Sequence, residues 1–462
     1  MTPTIAVSES SETREATGVP EAGERESAAA PYLADFERFA RERSGEPAAI
    51  ERLRRHAIER FAEIGFPTLR QEEWRSTNVA PIARSAFHRA EGEPDLGMPE
   101  IAPWIFDGAA ARLTFVDGRF APALSFAGDL PEGAFAGRLA DALAARPDEV
   151  LAQLGRHHRA DAHAFSALNA AFFTDGACIL LPRGAIVERP IHLLFVATGE
   201  SKSSFPRNLV VLGESAQATV VETYAGSPGV AFTCPVTEIV AGPNAALHHV
   251  KVQKEDQAAF HVAAFELKQE RSSQVDSCSI SLGGAIVRND LHAVLAGEGG
   301  DCTLNGLYLA EGRQVVDHHM RVEHRAAHCG SHELYKGILD GKARAVFNGL
   351  IHVRKGAQKT DAKQSNRNLL LSAEAIANSN PQLEIYADDV RCTHGSTVGQ
   401  LDEDAVFYLR SRGIGEEAAK SLLTYAFASE LVERIGVEPV RRDLEEFLFA
   451  RLPGGEIVRQ AV

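Results

Sequence analysis

Three textures of apolar and polar residues follow one another along the chain. Through about residue 165 the spacing is helical. PYLADFERFARER at 31–43 and PAAIERLRRHAIERFAEIG at 47–65 repeat apolar residues every three or four positions, with charges between them. Gly65 is placed to stop the second helix. ARLTFVDGRF at 111–120 offers short strands, and DLPEGAFAGRLADALAARPDEV and LAQLGRHH return to helical spacing. From about 166 to 400 the period changes. Runs such as GACILLP, IHLLFVAT, RNLVVLG, ATVVETYA, FHVAAFEL and QLEIYADDV are four to eight residues long, and Gly, Asn, Asp or Ser clusters separate them. That is an all-β signature. It is too long for one ordinary sandwich, and loose self-similarity between LNGLYL at 304–309, FNGLIHV at 347–353 and the weaker YKGILDG at 335–341 favours a solenoid of stacked coils. In such a fold the amides of KQSNRNLLLS would pair with backbone groups of the next coil at stacked turns.

The last texture, 401–462, is helical again. LDEDAVFYLRSRGI carries acids in its first turn and Gly413 as a C-cap, and GEEAAKSLLTYAFASELVERIG runs to Gly436. PVRRDLEEFLFARL is amphipathic. These sixty or so residues hold more apolar surface than a thin helical unit can cover, so they must dock, either on their own β domain or on a partner. The expected fold class is therefore mainly β, a solenoid flanked by N-terminal and C-terminal helical domains. Its boundaries are a tail at 1–30, a mainly helical domain at 31–165, a β core at 166–400 and a helical domain at 401–462.

Composition narrows the function. A net charge of −15 over 462 residues argues against nucleic-acid binding, which needs a basic face. No run of 18 or more apolar residues suggests a membrane span. The first thirty residues, rich in Ser, Glu, Ala and Pro, lack the apolar core of a signal peptide and are expected to be a disordered acidic tail. The six cysteines are scattered without a CxxC pair, so a disulfide framework is not expected and the cytoplasm is the default compartment.

Candidate chemistry concentrates late in the chain. In ADDVRCTHGSTVG at 387–399, a strand beginning near Leu383 would project Cys392 and His394 from one face. A zinc ion wants four ligands, and an iron–sulfur cluster commonly four thiolates, so this pair is half a set or none. His318, His319, His324, His328, Cys329 and His332 crowd one segment without a standard metal spacing, and a structural role is favoured for them. GILDGKAR at 337–344 lacks a spacer residue and the hydroxyl of a P-loop, and no GxSxG or HExxH occurs. Nothing reads as a self-contained enzyme.

Three stretches together resemble the SufB/SufD family of iron–sulfur cluster assembly proteins. They are GFPTLRQEEWRSTNV at 65–79, VVDHHMRVEHRAAHCGSHELYKGILDG at 315–341, and the long run from GAQKTDAKQSNRNLLLS to DEDAVFYLRSRGI at 356–414. The EEW segment and Gly395 after the Cys-x-His resemble the SufD branch, although Thr393 stands where serine is usual. The resemblance implies a right-handed parallel β-helix and a non-ATPase scaffold subunit of a SufB–SufC–SufD complex. It implies that Cys392 and His394 hold iron or a nascent cluster, transiently and shared with SufB. A SufB-like subunit would pair through the β-helix, where a homodimer could also form when the chain is alone. A SufC-like ATPase would dock on the C-terminal helices, for which Phe407, Tyr408, Leu409, Leu422, Leu423, Tyr425 and Phe427 are the candidate residues. No nucleotide is expected on this chain. The competing readings are a β-helix enzyme acting on polysaccharide and an inert structural scaffold.

Overall fold

The structure is a computed structural model describing residues 22–461 apart from 44, 94, 159–162, 453 and 454. The expected tail lies outside the described residues as far as residue 21, and helix Ala22–Glu42 takes in the remainder. The centre is a β-solenoid of about 8 turns between residues 178 and 399. Two parallel sheets face each other across a lumen. One runs from Ala177–Leu181 through Phe260–Gln269 and Val315–His324 to Ile376–Ile385. The other runs from Ala111–Val116 and Ile191–Ala197 through Asp301–Ala310 and Gly330–Leu339 to Arg391–Gly399. ARLTFV at 111–116 is thus a strand of the solenoid itself, paired in parallel with Ile191–Ala197. GAFAGR departs from its helical spacing: Phe135–Arg138 is a strand antiparallel to Ala177–Leu181, and the helix starts only at Leu139.

One corner of the coil is made by a residue with positive φ in successive turns: Ser215, Asn244, Ser272, Gly299, His328 and Lys359. Short polar side chains and glycine tolerate that conformation best, which explains the clusters that interrupt the apolar runs. The strands alternate between lumen and outer surface. Val316, Met320 and Val322 of one sheet meet Leu304, Tyr308 and Leu339 of the other in the lumenal core. LNGLYL and FNGLIHV turn out to belong to opposite sheets and are not successive uses of one rung. What they share is a lumenal glycine: a Cβ at Gly306 would lie 2.2 Å from the Tyr335 ring, and one at Gly349 would lie 2.3 Å from the Gln364 amide.

A lane of polar residues shares the lumen with this core. The Glu222 carboxylate accepts from Tyr224 at 2.7 Å and Thr237 at 3.1 Å, and lies 3.2 Å from His249. Lys251 donates to Asn289 at 2.6 Å, and burial pushes its ammonium down to about 8. Asn366 donates to the Tyr335 carbonyl at 3.3 Å and the Tyr308 hydroxyl at 3.0 Å. The KQSNRNLLLS amides therefore do pair between coils, but from lumenal strand positions and not from turns.

Helices cover both outer faces. On the first sheet, Phe36, Phe39, Phe61 and the fully buried helix Ala164–Phe172 pack over Phe205, Phe232 and Phe260. The backbone N–H of Gly65 bonds to Phe61 at φ 58°, ending helix Ala48–Ile64 where expected. Trp74 of the EEW segment stacks 3.6 Å from the Arg288 guanidinium, which also bonds Asp290 and Asp317. On the second sheet, Tyr425, Ala428, Leu431, Val432 and Leu444 pack on Val250, Ile280, Leu307 and Ile338. Lys336 beneath them pairs with Glu430 and donates to the Phe427 carbonyl at 2.9 Å.

Two outcomes follow. Leu431→Ala should cost about 2–5 kcal/mol and expose the C-terminal helices to proteolysis before the solenoid, read by chemical denaturation and limited digestion. Burial raises the Glu333 carboxyl from 4.5 to about 7, against the bond from Gln364. The folded state therefore keeps that proton longer than the unfolded chain, and stability falls as pH rises through 7. Relative to Glu333→Gln, the unmodified protein should lose about 2–3 kcal/mol between about pH 5 and pH 8.

Candidate functional site

The second sheet ends at Arg391–Gly399, which pairs with Asp361–Leu370 on one side only. Cys392 is aligned with Ala362 and His394 with Gln364. Ala362 is fully buried and Gln364 is 3% exposed, both lining the lumen, so Cys392 and His394 share the lumenal face of the last rung. The strand does not begin near Leu383, as its apolar pattern suggested. The chain turns at 386–390, and Arg391 opens a new strand in the opposite sheet with Cys392 as its second residue. The corner is fixed by the Lys359 N–H donating to the Asp389 carbonyl at 2.6 Å and the Asp389 N–H to the Gln358 side chain at 2.9 Å.

The two side chains differ in surroundings. Cys392 is half-buried against Ile351, Val353, Ala357, Ala362 and Ala387, while His394 is exposed. Burial pushes the thiol above its ordinary range and the Asp361 carboxylate adds to this, against a bond from the Ala362 backbone. Such a thiol stays protonated until a cation arrives to stabilise the thiolate. Among the described residues, no group of three or more His, Cys, Asp and Glu side chains is placed to hold a metal ion. The pair has no third such side chain placed with it among the described residues. Around it the rung end exposes Ile376, Ile385, Tyr386 and Val398, side chains that a further turn would cover.

The histidine-rich segment does not converge. His318 is buried between the Tyr308 and Tyr335 rings, and burial holds its imidazolium down to about 3. His324 lies 3.0 Å from the Ser331 hydroxyl, whereas His319 faces outward toward Asp317 and Asn348. His328 forms a corner at φ 58°, and Cys329 donates to the Gly297 carbonyl at 3.3 Å. GILDGKAR is a strand end followed by the Asp340–Gly341 turn and another strand, with no helix to receive a phosphate.

The seven C-terminal candidates separate. Phe407 and Tyr408 stand outward at 70% and 56% exposure on helix Glu403–Ser411, which Asp402 caps by accepting from the Asp404 and Ala405 N–H groups. Leu409 and Leu423 are half-buried. Tyr425 does not face outward: it is buried and stacks on Phe449 at 5.0 Å, and Leu422 and Phe427 pack against the same core. Helix Glu416–Val432 carries apolar residues around much of its surface because one side meets the solenoid and another meets helix Glu438–Arg451. Sequence reasoning missed the lumenal lane of Glu222, His249, Lys251 and Glu333. Their uniform alternation with outward residues was the signal available for it.

Residues 195–427 match the family described as SUF system FeS cluster assembly, SufBD core domain, and residues 29–193 match the SufBD protein N-terminal region. The iron–sulfur cluster assembly protein SufD of Escherichia coli is 34% identical over 86% of this chain and 92% of its own length. A SufBD family protein of Synechocystis is 32% identical over 88% of this chain and 92% of its own. The SufD of Bacillus subtilis is 26% identical over 89% of this chain and 95% of its own. With the solenoid and most of the N-terminal helical region inside these matches, the chain belongs to the SufBD family of the SUF iron–sulfur cluster assembly system and is SufD-like.

Proposed function

We propose that this chain is the non-ATPase scaffold subunit of a SufB–SufC–SufD complex and supplies Cys392 and His394 as ligands for iron or a nascent cluster at the boundary with a SufB-like subunit. One observation carries the reading: a thiol and an imidazole occupy the lumenal face of a rung whose next neighbour is missing. An unpaired strand edge with exposed apolar neighbours calls for a cover, and a strand of another solenoid fits it in hydrogen bonding and in rise. The partner that completes the sheet then also completes the ligand set. Iron is cargo in this scheme. It enters as Cys392 gives up its proton, so uptake is coupled to proton release.

The C-terminal helices are the docking place for a SufC-like ATPase, through Phe407 and Tyr408 at its most exposed edge. Closure of two ATPase subunits on ATP would pull on helices that are bonded to the second sheet through Lys336 and Glu430, and so shift the solenoid end against its partner.

In the copurified complex, Cys392→Ser with His394→Ala should abolish reconstituted cluster, read as bound iron and visible absorbance, with subunit composition unchanged by gel filtration. Full loading would leave the pair inert and the chain a plain scaffold. Phe407→Asp with Tyr408→Asp should release the ATPase subunit from copurification while the SufB-like subunit is retained; persistence of all three places the ATPase elsewhere.

A further inference from the structure

One ladder column of the second sheet stacks Glu333, Gln364 and His394 on successive rungs, all on the lumenal face. The Gln364 Nε2 donates to Glu333 Oε2 at 2.5 Å. Gln364 Oε1 and Glu333 Oε1 are buried acceptors with no partner. Buried acceptors are rarely left so, and an orphan beside a candidate site asks what is meant to reach it. The Gln364 carboxamide lies against Gly349 of the opposite sheet, where a Cβ would collide with Nε2, Cδ and Oε1 alike. Its next neighbour toward the open end is His394.

Among the described residues, the same solenoid joins imidazoles to aligned side chains on adjacent rungs elsewhere, as between His292 and the Glu266 carboxylate at 3.0 Å. His249 lies 2.9 Å from the Ser277 hydroxyl, His352 lies 2.8 Å from the Glu384 carboxylate, and His319 lies 2.9 Å from the Asn348 carboxamide. Each pair is in register. A ring and a carboxamide one rung apart are thus within hydrogen-bond reach in this coil.

We propose that Gln364, held by Glu333, is a positioning residue for His394: its amide oxygen accepts one imidazole N–H and leaves the other ring nitrogen, with its lone pair, facing the open end. Glu333 decides the polarity of the chain. A carboxylate takes the amide N–H, so the amide turns its oxygen, not its nitrogen, to the histidine. This is the arrangement by which an outer partner sets the tautomer of a metal-binding imidazole, carried here over two rungs. The inference rests on His394 being a cargo ligand, and its test does not use cargo.

The full-length chain labelled with ¹⁵N-histidine gives the tautomer from long-range proton–nitrogen correlations above pH 7, with His394→Gln identifying the signal. The unmodified chain should show one dominant tautomer at His394. Gln364→Met, which keeps the bulk and removes the acceptor, should bring the second tautomer to a comparable population. Glu333→Gln, equal in volume, should do the same by letting the amide turn. Unchanged His394 shifts in both variants overturn the proposal. A tautomer that follows Gln364 in a complex whose cluster loading ignores His394 would retain this contact and overturn the cargo reading instead.

Discussion

A parallel coil satisfies each strand with the next, so its last strand is the one place where the structure leaves its own rule unmet. At the first turn the deficit is small: Ala111–Val116 and Phe135–Arg138 from the N-terminal region close the sheets with further strands. At the other end, Ile376–Ile385 and Arg391–Gly399 each pair on one side alone. Ladder bonds, lumenal packing and side-chain alignment all stop there together. Everything attributed to Cys392 and His394 depends on that termination, since the same two residues one turn earlier would be sealed in the core as Ala362 and Gln364 are.

The helical flanks make the open end more consequential. Each outer face is occupied by this chain's own helices over much of its length, through the phenylalanines around helix Ala164–Phe172 and through Leu431, Val432 and Leu444. The Trp74–Arg288 stack and the Asp317 bonds tie the N-terminal region to the middle of the coil. Removing either partner would leave a buried charge or an apolar face uncompensated. Movement driven through the C-terminal helices would therefore act on the solenoid as a body and be felt at its edge.

Much of this was legible in the chain. Gly65 as a helix stop, the short runs of an all-β core, and the shared face of Cys392 and His394 follow from local rules of spacing and backbone conformation. What stayed hidden depended on neighbours distant in sequence. Helix Ala22–Glu42 begins ahead of Pro31, where composition suggested a tail, because Ala29 and Phe36 find partners in the aromatic cluster over the first sheet. Tyr425 read as surface because a helix apolar on several sides does not say which of them meets its own domain. The corner at 386–390 was lost inside an apolar run, since it is set by bonds to Gln358 and Lys359 a turn earlier. The glycines of LNGLYL and FNGLIHV looked like a repeat and are two answers to one steric demand, room for a lumenal side chain opposite.

The lumenal lane connects these points. A coil filled only with aliphatic residues would need no partner for its interior and could end in any apolar cap. Here the polar column of Glu333 and Gln364 runs up to the rim, leaves acceptors unsatisfied, and presents a donor-bearing ring at the last position. Beside it, burial keeps the Cys392 thiol protonated. A neutral thiol costs little to leave facing solvent or to bring under a partner. The charged thiolate would be expensive to cover without a cation to neutralise it. An empty coil end therefore carries little electrostatic cost at Cys392, whether it faces solvent or lies under a cover.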